Sequence, residues 1–459
     1  MIRDPYHWEI IESIDLVGYL AKFPPSFSFK IDHFYYIIEY LSMGMERDDV
    51  DKNEGYVNLN AQKLQSKIHN YKQYLDHLLK HNFILTDGHY VPGEKSRGYL
   101  ISGYRSSDST TIKHIPIKDY FSKKTRKKEI DKHKASLKRT ERTHKHLTKW
   151  FNKNLIIDFK NAEKLLVGLY PPYTRPIGGK KKGKASRYTK ILIATHALDK
   201  LHRQQFYYTV DKSVGRFHSN LTNLKKELRN YITYDNQPLV NIDIKNSQPL
   251  LSQILLRKSF YNRKSSLNIH QYPHIFHSIT SITPSRFSLM LEECLESVDR
   301  TGFTSYINMV NSGDFYRQLS HELYPDNEFD KKAMKKAMMK TFFSDNRFIS
   351  DNKFNDNWDA SDKRLFKGHF PTVYEVFSLI KRKEKSLLAR ILQSIESDII
   401  VNRASKRIAK ECPDLPIFTI HDSIVTSLGN EDYVATIITE EVKNLTDLDV
   451  KLGYEYWTP

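Results

Sequence analysis

A strand followed directly by a helix, between Val240 and Pro249, is the feature that most constrains the fold of this chain. Val240, Ile242 and Ile244 alternate with polar residues, which is the period-two pattern of a strand with one apolar face. Pro249 suits the first turn of a helix, where its missing N–H group costs nothing. Asp243 therefore stands on the polar face of a strand near a strand–helix junction, a common place for a carboxylate that holds a metal ion.

A second carboxylate occurs in PIFTIHDSIVTS, where two short apolar runs flank His421-Asp422-Ser423. The runs at 417–420 and 424–426 predict two strands of a hairpin, with these three residues at the bend. Aspartates on neighbouring strands could share Mg²⁺, which binds one or two carboxylates together with substrate phosphates. Either aspartate taken alone is explained more simply as a capping or turn residue.

Five segments support the metal-binding interpretation by their order: GRFHSNLTNL from Gly215, IDIKNSQ from Ile242, KKAMKKAMMKTFF from Lys331, QSIESDII from Gln393 and HDS from His421. This order resembles the motifs of the A-type polymerases, the family of bacterial DNA polymerase I and of the single-subunit RNA polymerases of phages and mitochondria. IDIKNSQ resembles motif A, and HDS resembles motif C. The lysine-rich segment has the R-x-x-x-K-x-x-x-F-x-x-x-Y spacing of the fingers helix. QSIESDII resembles QGTAADII, and the first segment resembles TGRLSS-x-x-PNLQ. The resemblance covers roughly the C-terminal half of the chain.

The resemblance implies an α+β fold, with a right-handed palm–fingers–thumb core built on an antiparallel palm sheet. Palm and fingers are expected at 206–459. Within them, motif A is expected at 240–256, the fingers helix at 328–346 and motif C at 417–427. The closing segment DVKLGYEYW resembles the last strand of the palm.

The region before residue 106 predicts a small separate module. AQKLQSKIHNYKQYLDHLLKHNF, from Ala61, has the apolar spacing of one helix, and Phe83 to Val91 predicts a hairpin with a tight turn at Asp87-Gly88. Helices followed by a short hairpin resemble a winged helix. We therefore expect a winged-helix-like module at 1–105, which either binds nucleic acid or serves as a structural or protein-contact module.

The stretch at 119–150 is strongly basic and compatible with a helix. It predicts either a solvated or disordered arm, or a helix that follows a duplex backbone as the family's thumb does. The second alternative makes 106–205 a thumb-like region. The formal net charge of +18 and the pI near 9.4 indicate a polyanionic partner, because such a field attracts nucleic acid. The alternative is a merely basic or ribosomal protein.

Nucleotide addition is an in-line displacement in which the attacking and leaving oxygens both carry developing charge. Two Mg²⁺ ions about 4 Å apart, with Mn²⁺ as an alternative, stabilise both oxygens. The resemblance assigns catalysis and metal binding to Asp243 and Asp422, with the backbone carbonyl of Ile244 as a further ligand. Neither aspartate needs an altered pKa for this role, since coordination alone is required.

The resemblance also implies residues that bind the incoming nucleotide: Gln248, Lys331, Lys335, Met339 and Phe343. Gln248 lies beneath the sugar. On a helix, lysines four residues apart share one face, where their charges oppose a triphosphate and the residues beyond them stack on a base. Because the segment contains lysine pairs, Lys332 and Lys336 remain the alternative register. A lysine stripe on a surface helix is otherwise merely solvated.

Three further residues match positions that contact primer or template in the family. Arg216 and Gln393 match residues near the growing end, and His421 matches the residue at the primer-terminal phosphate. The simpler alternatives are a surface arginine and a buried structural histidine.

The choice of sugar depends on departures from the family's pattern. Gln248 stands where the DNA polymerases have Glu and the RNA polymerases have Gly, so its bulk favours deoxynucleotides. Phe343 replaces a tyrosine that helps the RNA enzymes select ribose, which points the same way. Ser423 and Met339 look more like the RNA polymerases. The balance favours DNA synthesis.

The cysteine count and the absence of long apolar runs bear on the cellular compartment of the protein. Two cysteines leave no basis for a disulfide framework or a cysteine-based zinc site. Because the sequence has no apolar run of about 18 residues and no signal peptide, we expect an intracellular, cytoplasmic protein without membrane contact. The oligomeric state stays open.

The sequence thus predicts a DNA polymerase without a proofreading domain, which adds dNTPs to the primer of a primer–template nucleic acid. Such an enzyme would suit a phage, plasmid or mobile element. A single-subunit RNA polymerase or primase-like enzyme is the first alternative. A non-catalytic DNA-binding replication protein is the second.

Overall fold

The structure is a computed structural model that describes residues 6–12, 14–44, 56–88, 96–102, 112–169, 187–273, 275, 296, 300–326, 328–346 and 360–459. The chain divides into two compact units. The first unit comprises Met1–Thr209, Ser219–Gln237 and Trp457–Pro459, and the second unit comprises Val210–His218 and Pro238–Tyr456. The predicted module at 1–105 and the predicted thumb at 106–205 both lie in the first unit. Their separation from each other stays a prediction.

The first unit begins with helices and two small antiparallel sheets. Its elements are β1 (His7–Ile11), α1 (Leu16–Lys22), α2 (Ile31–Gly44), β2 (Val57–Asn58), α3 (Ala61–Gln65), α4 (Tyr71–Lys80), β3 (Ile84–Thr86), β4 (Gly98–Ile101) and β5 (Ile112–Pro116). The strand β4 lies between β2 and β3, and β1 pairs with β5. Buried apolar residues of α2, α4 and β3, among them Phe34, Ile38, Leu78 and Ile84, form the core.

One local prediction for this region is wrong, and a second stays a prediction. The segment predicted as one helix from Ala61 forms α3 and α4, separated at 66–70, where the Ser66 hydroxyl donates to the Lys63 carbonyl at 2.7 Å. The apolar spacing persists across this break because both helices face one core. Among the described residues β3 pairs with β4, and beside this pair the Asp87 carboxylate accepts from the Gly98 N–H group at 2.9 Å. The expected partner Tyr90-Val91 lies outside the described residues.

The rest of the first unit contains the predicted basic helix. Its elements are α5 (Tyr120–Thr143), α6 (Lys145–Thr148), β6 (Leu155–Ile157), α7 (Phe159–Leu169), α8 (Arg187–His202), β7 (Tyr208–Val210), β8 (Phe217–Ser219), α9 (Asn220–Asn223) and β9 (Ile232–Tyr234), of which β7 and β8 extend into the second unit. The helix α5 begins where the Asp119 side chain accepts from the Ser122 N–H group at 2.8 Å. A basic helix was therefore predicted correctly. One of its cations, Arg126, is buried rather than solvated.

The sheet of the second unit consists of β10 (Gln237–Ile244), β11 (Ile417–Ile420), β12 (Ser423–Ser427) and β13 (Leu452–Trp457). The central strand β12 is antiparallel to both β11 and β10, and β13 pairs with β10. The strand from Val240 and the hairpin around Asp422 are therefore neighbours, as predicted. Val240, Ile242 and Ile244 are at most 1% exposed, so they form the buried face that their alternation indicates.

Helices make up most of the second unit. They are α10 (Ser247–Ser252), α11 (Arg300–Asn311), α12 (Phe315–Leu323), α13 (Lys331–Phe343), α14 (Ser361–His369), α15 (Pro371–Lys381), α16 (Leu387–Ser397), α17 (Ser405–Glu411) and α18 (Glu431–Thr446). A π-helical turn at Asp398–Ala404 follows α16 directly. Both α10 and α13 pack against α16. The helix α16 therefore packs against both the segment predicted as motif A and the segment predicted as the fingers helix.

The structure thus combines helices with antiparallel sheets, in agreement with the predicted α+β class. Across the described ranges, no helix is long and apolar enough to cross a membrane. The designation of palm, fingers, thumb and winged helix stays a prediction.

Candidate active site

The sheet of the second unit brings the two predicted metal ligands to one edge. Asp243, on β10, lies opposite Ser423 on β12, the residue that follows Asp422. The N–H group of Ile244 donates to the backbone carbonyl of Asp422 at 3.3 Å. Both aspartates are partly exposed, whereas the apolar residues around them on the strands are buried. The pairing register therefore places the two aspartates close together at the ends of neighbouring strands, where both are partly exposed.

Gly453, on β13, leaves room for the Asp243 carboxylate. A Cβ atom added at Gly453 would lie 2.6 Å from Asp243 Oδ1, closer than real Cβ atoms approach an oxygen. The strand β13 pairs with β10, so this glycine lies beside Asp243 through sheet pairing. Gly453 thus positions the carboxylate by having no side chain.

Ser247, at the start of α10, connects Asp422 to a third acid, Glu396. Its hydroxyl donates to Asp422 Oδ2 at 2.6 Å and lies 3.4 Å from Glu396 Oε2. The residue before it, Asn246, has a left-handed backbone with φ of 55°, which turns the chain sharply from strand to helix. The predicted strand–helix junction therefore directs the Ser247 hydroxyl toward Asp422 and Glu396.

Glu396, on α16, is the most enclosed acid of the site, with 1% of its surface exposed. Gln248 Nε2 donates to its Oε2 at 2.6 Å, and Arg216 forms an ion pair with its Oε1. Burial, and then the nearby charge of Asp422, raise the pKa of Glu396 to about 7, against the opposing effect of Arg216. Tyr316, on α12, is subject to the same two influences, and its pKa is raised to about 12.

Arg216 is held in place by a turn built around Asp211. The Asp211 carboxylate accepts from the N–H groups of Ser213, Val214 and Arg216, at 2.7, 3.0 and 3.1 Å. Gly215 has a φ of 74°, which the turn requires and a glycine adopts without strain. Burial acts to raise the pKa of Asp211, but hydrogen bonds from His218, Ser213 and this backbone lower it overall. The turn thus presents the Arg216 guanidinium to Glu396.

The predicted fingers helix forms as α13, with the Asp330 side chain as its N-cap. Lys331, Lys335 and Met339 are exposed, and Phe343 is half-buried. The buried face is formed by other residues, Met334, Ala337, Met338, Thr341 and Phe342. The alternatives Lys332 and Lys336 are exposed too, so the structure leaves both lysine registers available.

Two buried lysines bind the end of α13. Lys381 Nζ donates to the carbonyls of Thr341 and Ser344 at 2.6 and 3.2 Å, and Lys363 Nζ donates to the carbonyl of Asp345 at 2.7 Å. Burial, and then the neighbouring charge of Lys363, lower the pKa of Lys381 to about 7. Cations at a helix C-terminus stabilise its unpaired carbonyls. These lysines anchor the helix that carries the proposed nucleotide-binding residues.

Some of the predicted site residues share one hydrogen-bonded network, and others lie near it. Asp422, Gln248 and Arg216 meet in one network through Ser247 and Glu396, with Asp243 beside it. His421 is exposed in a left-handed conformation, and its ring centroid lies 6.4 Å from that of His218. Gln393 is half-buried on α16, one helical turn before Glu396.

Sequence reasoning missed Glu396, Ser247, Gly453 and the two lysines behind α13. A signal existed for Glu396, because it is the one acid in the apolar run LLARILQSIES of α16. Gly453 carries no signal, because only strand pairing brings it to Asp243.

The residues present fit Mg²⁺. Among the described residues, no group of three or more His, Cys, Asp or Glu side chains forms a metal site. Mg²⁺ in nucleotide-processing sites uses one or two carboxylates and takes its other ligands from phosphates and water. The predicted ligands Asp243 and Asp422 would supply such a partial set. Gly453 preserves space for the first carboxylate.

No protein-family model matches the sequence, and no curated protein matches it. Among solved structures, the chain is similar to the POL domain of Pol1 from M. smegmatis, in complex with DNA primer-template and dNTP. The similarity has a TM-score of 0.30 at 11% identity, and it covers 73% of each chain.

Proposed function

We propose that this protein is a template-directed nucleotidyltransferase, a DNA polymerase that extends a primer with dNTPs. The observation that carries the proposal is the register of β10 on β12, which sets Asp243 beside Asp422. These aspartates lie 179 positions apart by their numbers in the sequence (422 − 243). Each belongs to a segment that resembles a polymerase motif, and the segments follow the order found in that family.

In this proposal, Asp243, Asp422 and the Ile244 carbonyl hold Mg²⁺ or Mn²⁺. Bound there, two ions would activate the primer 3′-oxygen and stabilise the leaving pyrophosphate. Gln248 lies under the sugar of the incoming nucleotide. Lys331 and Lys335 face its triphosphate.

The remaining roles follow the same resemblance. Met339 and Phe343 stack against the base of the incoming nucleotide. Arg216, Gln393 and His421 contact primer or template near the growing end.

The first unit supplies a candidate surface for the nucleic acid. The exposed cations of α5 are Lys124, Lys127, Lys128, Lys132, Lys134, Lys138, Arg139 and Arg142, against the two exposed acids Asp131 and Glu141. Such a cationic stripe neutralises phosphates and releases their counterions. This surface supports the thumb-like role of α5. The order helix, strand, helix, helix, strand, strand from α2 to β4 supports the winged-helix-like interpretation of the N-terminal module.

Extension of a labelled primer on a DNA template, with Mg²⁺ and with dNTPs or NTPs in separate reactions, tests the proposal. Asp243→Asn and Asp422→Asn should each reduce extension by roughly a thousandfold or more, because each removes a metal ligand. Asp449→Asn, whose side chain is 93% exposed, is the matched control and should extend as the wild type does.

The outcomes separate the three functions. Extension by dNTPs that both active-site substitutions abolish supports a DNA polymerase. Extension by NTPs alone would assign the protein to the RNA-synthesising branch, for which Ser423 and Met339 are the favouring residues. A protein that binds the duplex but extends with neither nucleotide set would be a non-catalytic DNA-binding protein.

A further inference from the structure

Gln248 and Glu396 form a contact that the resemblance to the polymerase family does not account for. Gln248 Nε2 donates to Glu396 Oε2 at 2.6 Å, and these residues lie 148 positions apart in the sequence. Glu396 belongs to the segment that resembles QGTAADII, at a position where that motif has alanine. The opposite oxygen of Glu396 binds Arg216. Three of the proposed motifs therefore meet on one buried carboxylate.

The chemistry of this contact explains why residue 248 is a glutamine. An ionised carboxylate can only accept hydrogen bonds, so it requires a donor, which the amide of Gln248 supplies. A glutamate at 248, as in the DNA polymerases of the family, would place two carboxylates in contact in a buried site. Their repulsion would be strong because burial weakens solvent screening. Glutamine retains the size of glutamate and removes that repulsion.

The contact also orients the glutamine. Because Nε2 binds Glu396, Oε1 lies on the other side of the amide, where it is buried and has no hydrogen-bond partner among the described residues. A free glutamine side chain has three rotatable bonds, and a strong hydrogen bond at its end restricts them. The bulk at position 248 is therefore held in one place rather than free to move aside.

We propose that Glu396 is a positioning residue that fixes Gln248 as the barrier to a ribose 2′-hydroxyl and so sets the sugar specificity of the site. This inference rests on the proposed polymerase function. It extends that function, because it assigns sugar selection to a pair of residues rather than to Gln248 alone. Arg216 holds the carboxylate from its other side and keeps it directed at Gln248.

The test compares kcat/KM for dNTP and NTP incorporation on one primer–template. Glu396→Met removes the acceptor at nearly constant volume, and the preference for dNTPs should fall about tenfold, the loss expected from one strong hydrogen bond. Asp398→Asn is the matched control, since Asp398 follows two residues later and bonds Asn402 and Arg403 instead. It should keep the wild-type preference.

An exchange of the two residues keeps the test decisive if Glu396→Met does not fold. Gln248→Glu alone should reduce dNTP incorporation about tenfold or more, because two carboxylates then meet. Gln248→Glu combined with Glu396→Gln restores the hydrogen bond in the reverse direction and should recover both incorporation and the preference for dNTPs. A merely structural role for Glu396 would not produce this recovery.

The outcomes distinguish the positioning role of Glu396 from the proposed polymerase function. A reduced dNTP preference in a folded Glu396→Met variant, with recovery in the exchanged pair, supports the positioning role. An active wild type whose preference is unchanged in Glu396→Met, or an exchanged pair no better than Gln248→Glu, overturns it and leaves the polymerase proposal intact. A wild type that incorporates neither nucleotide overturns both.

Discussion

The two units each contain a buried glutamate–arginine pair, and the surroundings of the two pairs differ. In the first unit, Glu39 on α2 binds Arg126 on α5, and each side chain is 3% exposed. In the second unit, Arg216 and Glu396 are 19% and 1% exposed. Glu39 also accepts from the backbone N–H group of Glu9 at 2.8 Å, and the Arg126 guanidinium lies 5.0 Å from the centre of the Trp8 ring.

In the second pair, the glutamate has another acid nearby. Glu396 lies near Asp422, and this charge, after burial itself, contributes to a pKa raised to about 7. A structure selected for stability alone would avoid an acidic cluster at a partly exposed edge, and such perturbed groups concentrate at functional sites. The comparison indicates that one type of ion pair can hold a helix in the first unit and position the proposed active site in the second unit.

The largest effect on stability is expected at the first pair. Arg126→Met leaves Glu39 buried without its cation, and the free energy of unfolding should fall by about 3–5 kcal/mol. Urea unfolding measures this change. Lys127→Met, at the exposed neighbouring position of α5, is the control and should change stability by less than about 0.5 kcal/mol. Equal effects of the two substitutions would contradict a structural role for the pair.

The next effect concerns the pH dependence that Glu396 imposes. Its pKa is raised from 4.5 to about 7 in the folded state, so the folded protein binds this proton more tightly than the unfolded chain. The contribution of Glu396 to stability should therefore be fully present below pH 4.5 and be lost as the pH rises to 7, by an amount on the order of 3 kcal/mol. Unfolding in EDTA from pH 4 to pH 8 measures the slope.

Glu396→Gln provides the reference for this measurement. The difference between the wild-type and variant curves isolates one titrating group from all others. The difference should change across the window from 4.5 to 7 and be flat above it. A flat difference throughout would contradict a raised pKa of Glu396 in the folded protein.

A smaller effect, confined to activity, is expected at Gly453. Gly453→Ala places a methyl group 2.6 Å from Asp243 Oδ1, which must then move, and the displaced carboxylate should reduce primer extension by about 10- to 100-fold. Gly368→Ala is the matched control, because its added Cβ would meet nothing within 4 Å. Unchanged extension by the Gly453 variant would remove Asp243 from the proposed metal site.

The smallest effect, on nucleic-acid binding, is expected from the exposed lysines of α5, which are solvated whereas Arg126 of the same helix is buried. Lys132→Ala and Lys138→Ala should each weaken duplex binding by a few-fold and lower the salt slope of log K by about 1, if each lysine contacts one phosphate. Fluorescence anisotropy at several salt concentrations measures both. Lys160→Ala, exposed on α7, should change neither.

Local pattern in the sequence was sufficient for much of the proposed site. The alternation around Asp243 and the two apolar runs around Asp422 predicted the strands β10, β11 and β12, because period-two burial is a local property. The helix α13 was predicted differently, because the spacing from Lys331 to Phe343 resembles that of the family's fingers helix. Local pattern failed at the break between α3 and α4, since two helices that face one core keep a common apolar spacing.

The sequence by itself determined the strand–helix junction at Asp243, the hairpin at Asp422 and the basic helix α5. These features depend on periodicity and charge within a few residues. Only the tertiary structure decided that Gly453 makes room for Asp243, that Glu396 binds Gln248 and Arg216, and that Arg126 is buried. These contacts join residues dozens to hundreds of positions apart, such as Arg216 and Glu396 at 180. Their partners are chosen by strand pairing and helix packing, which no local pattern records.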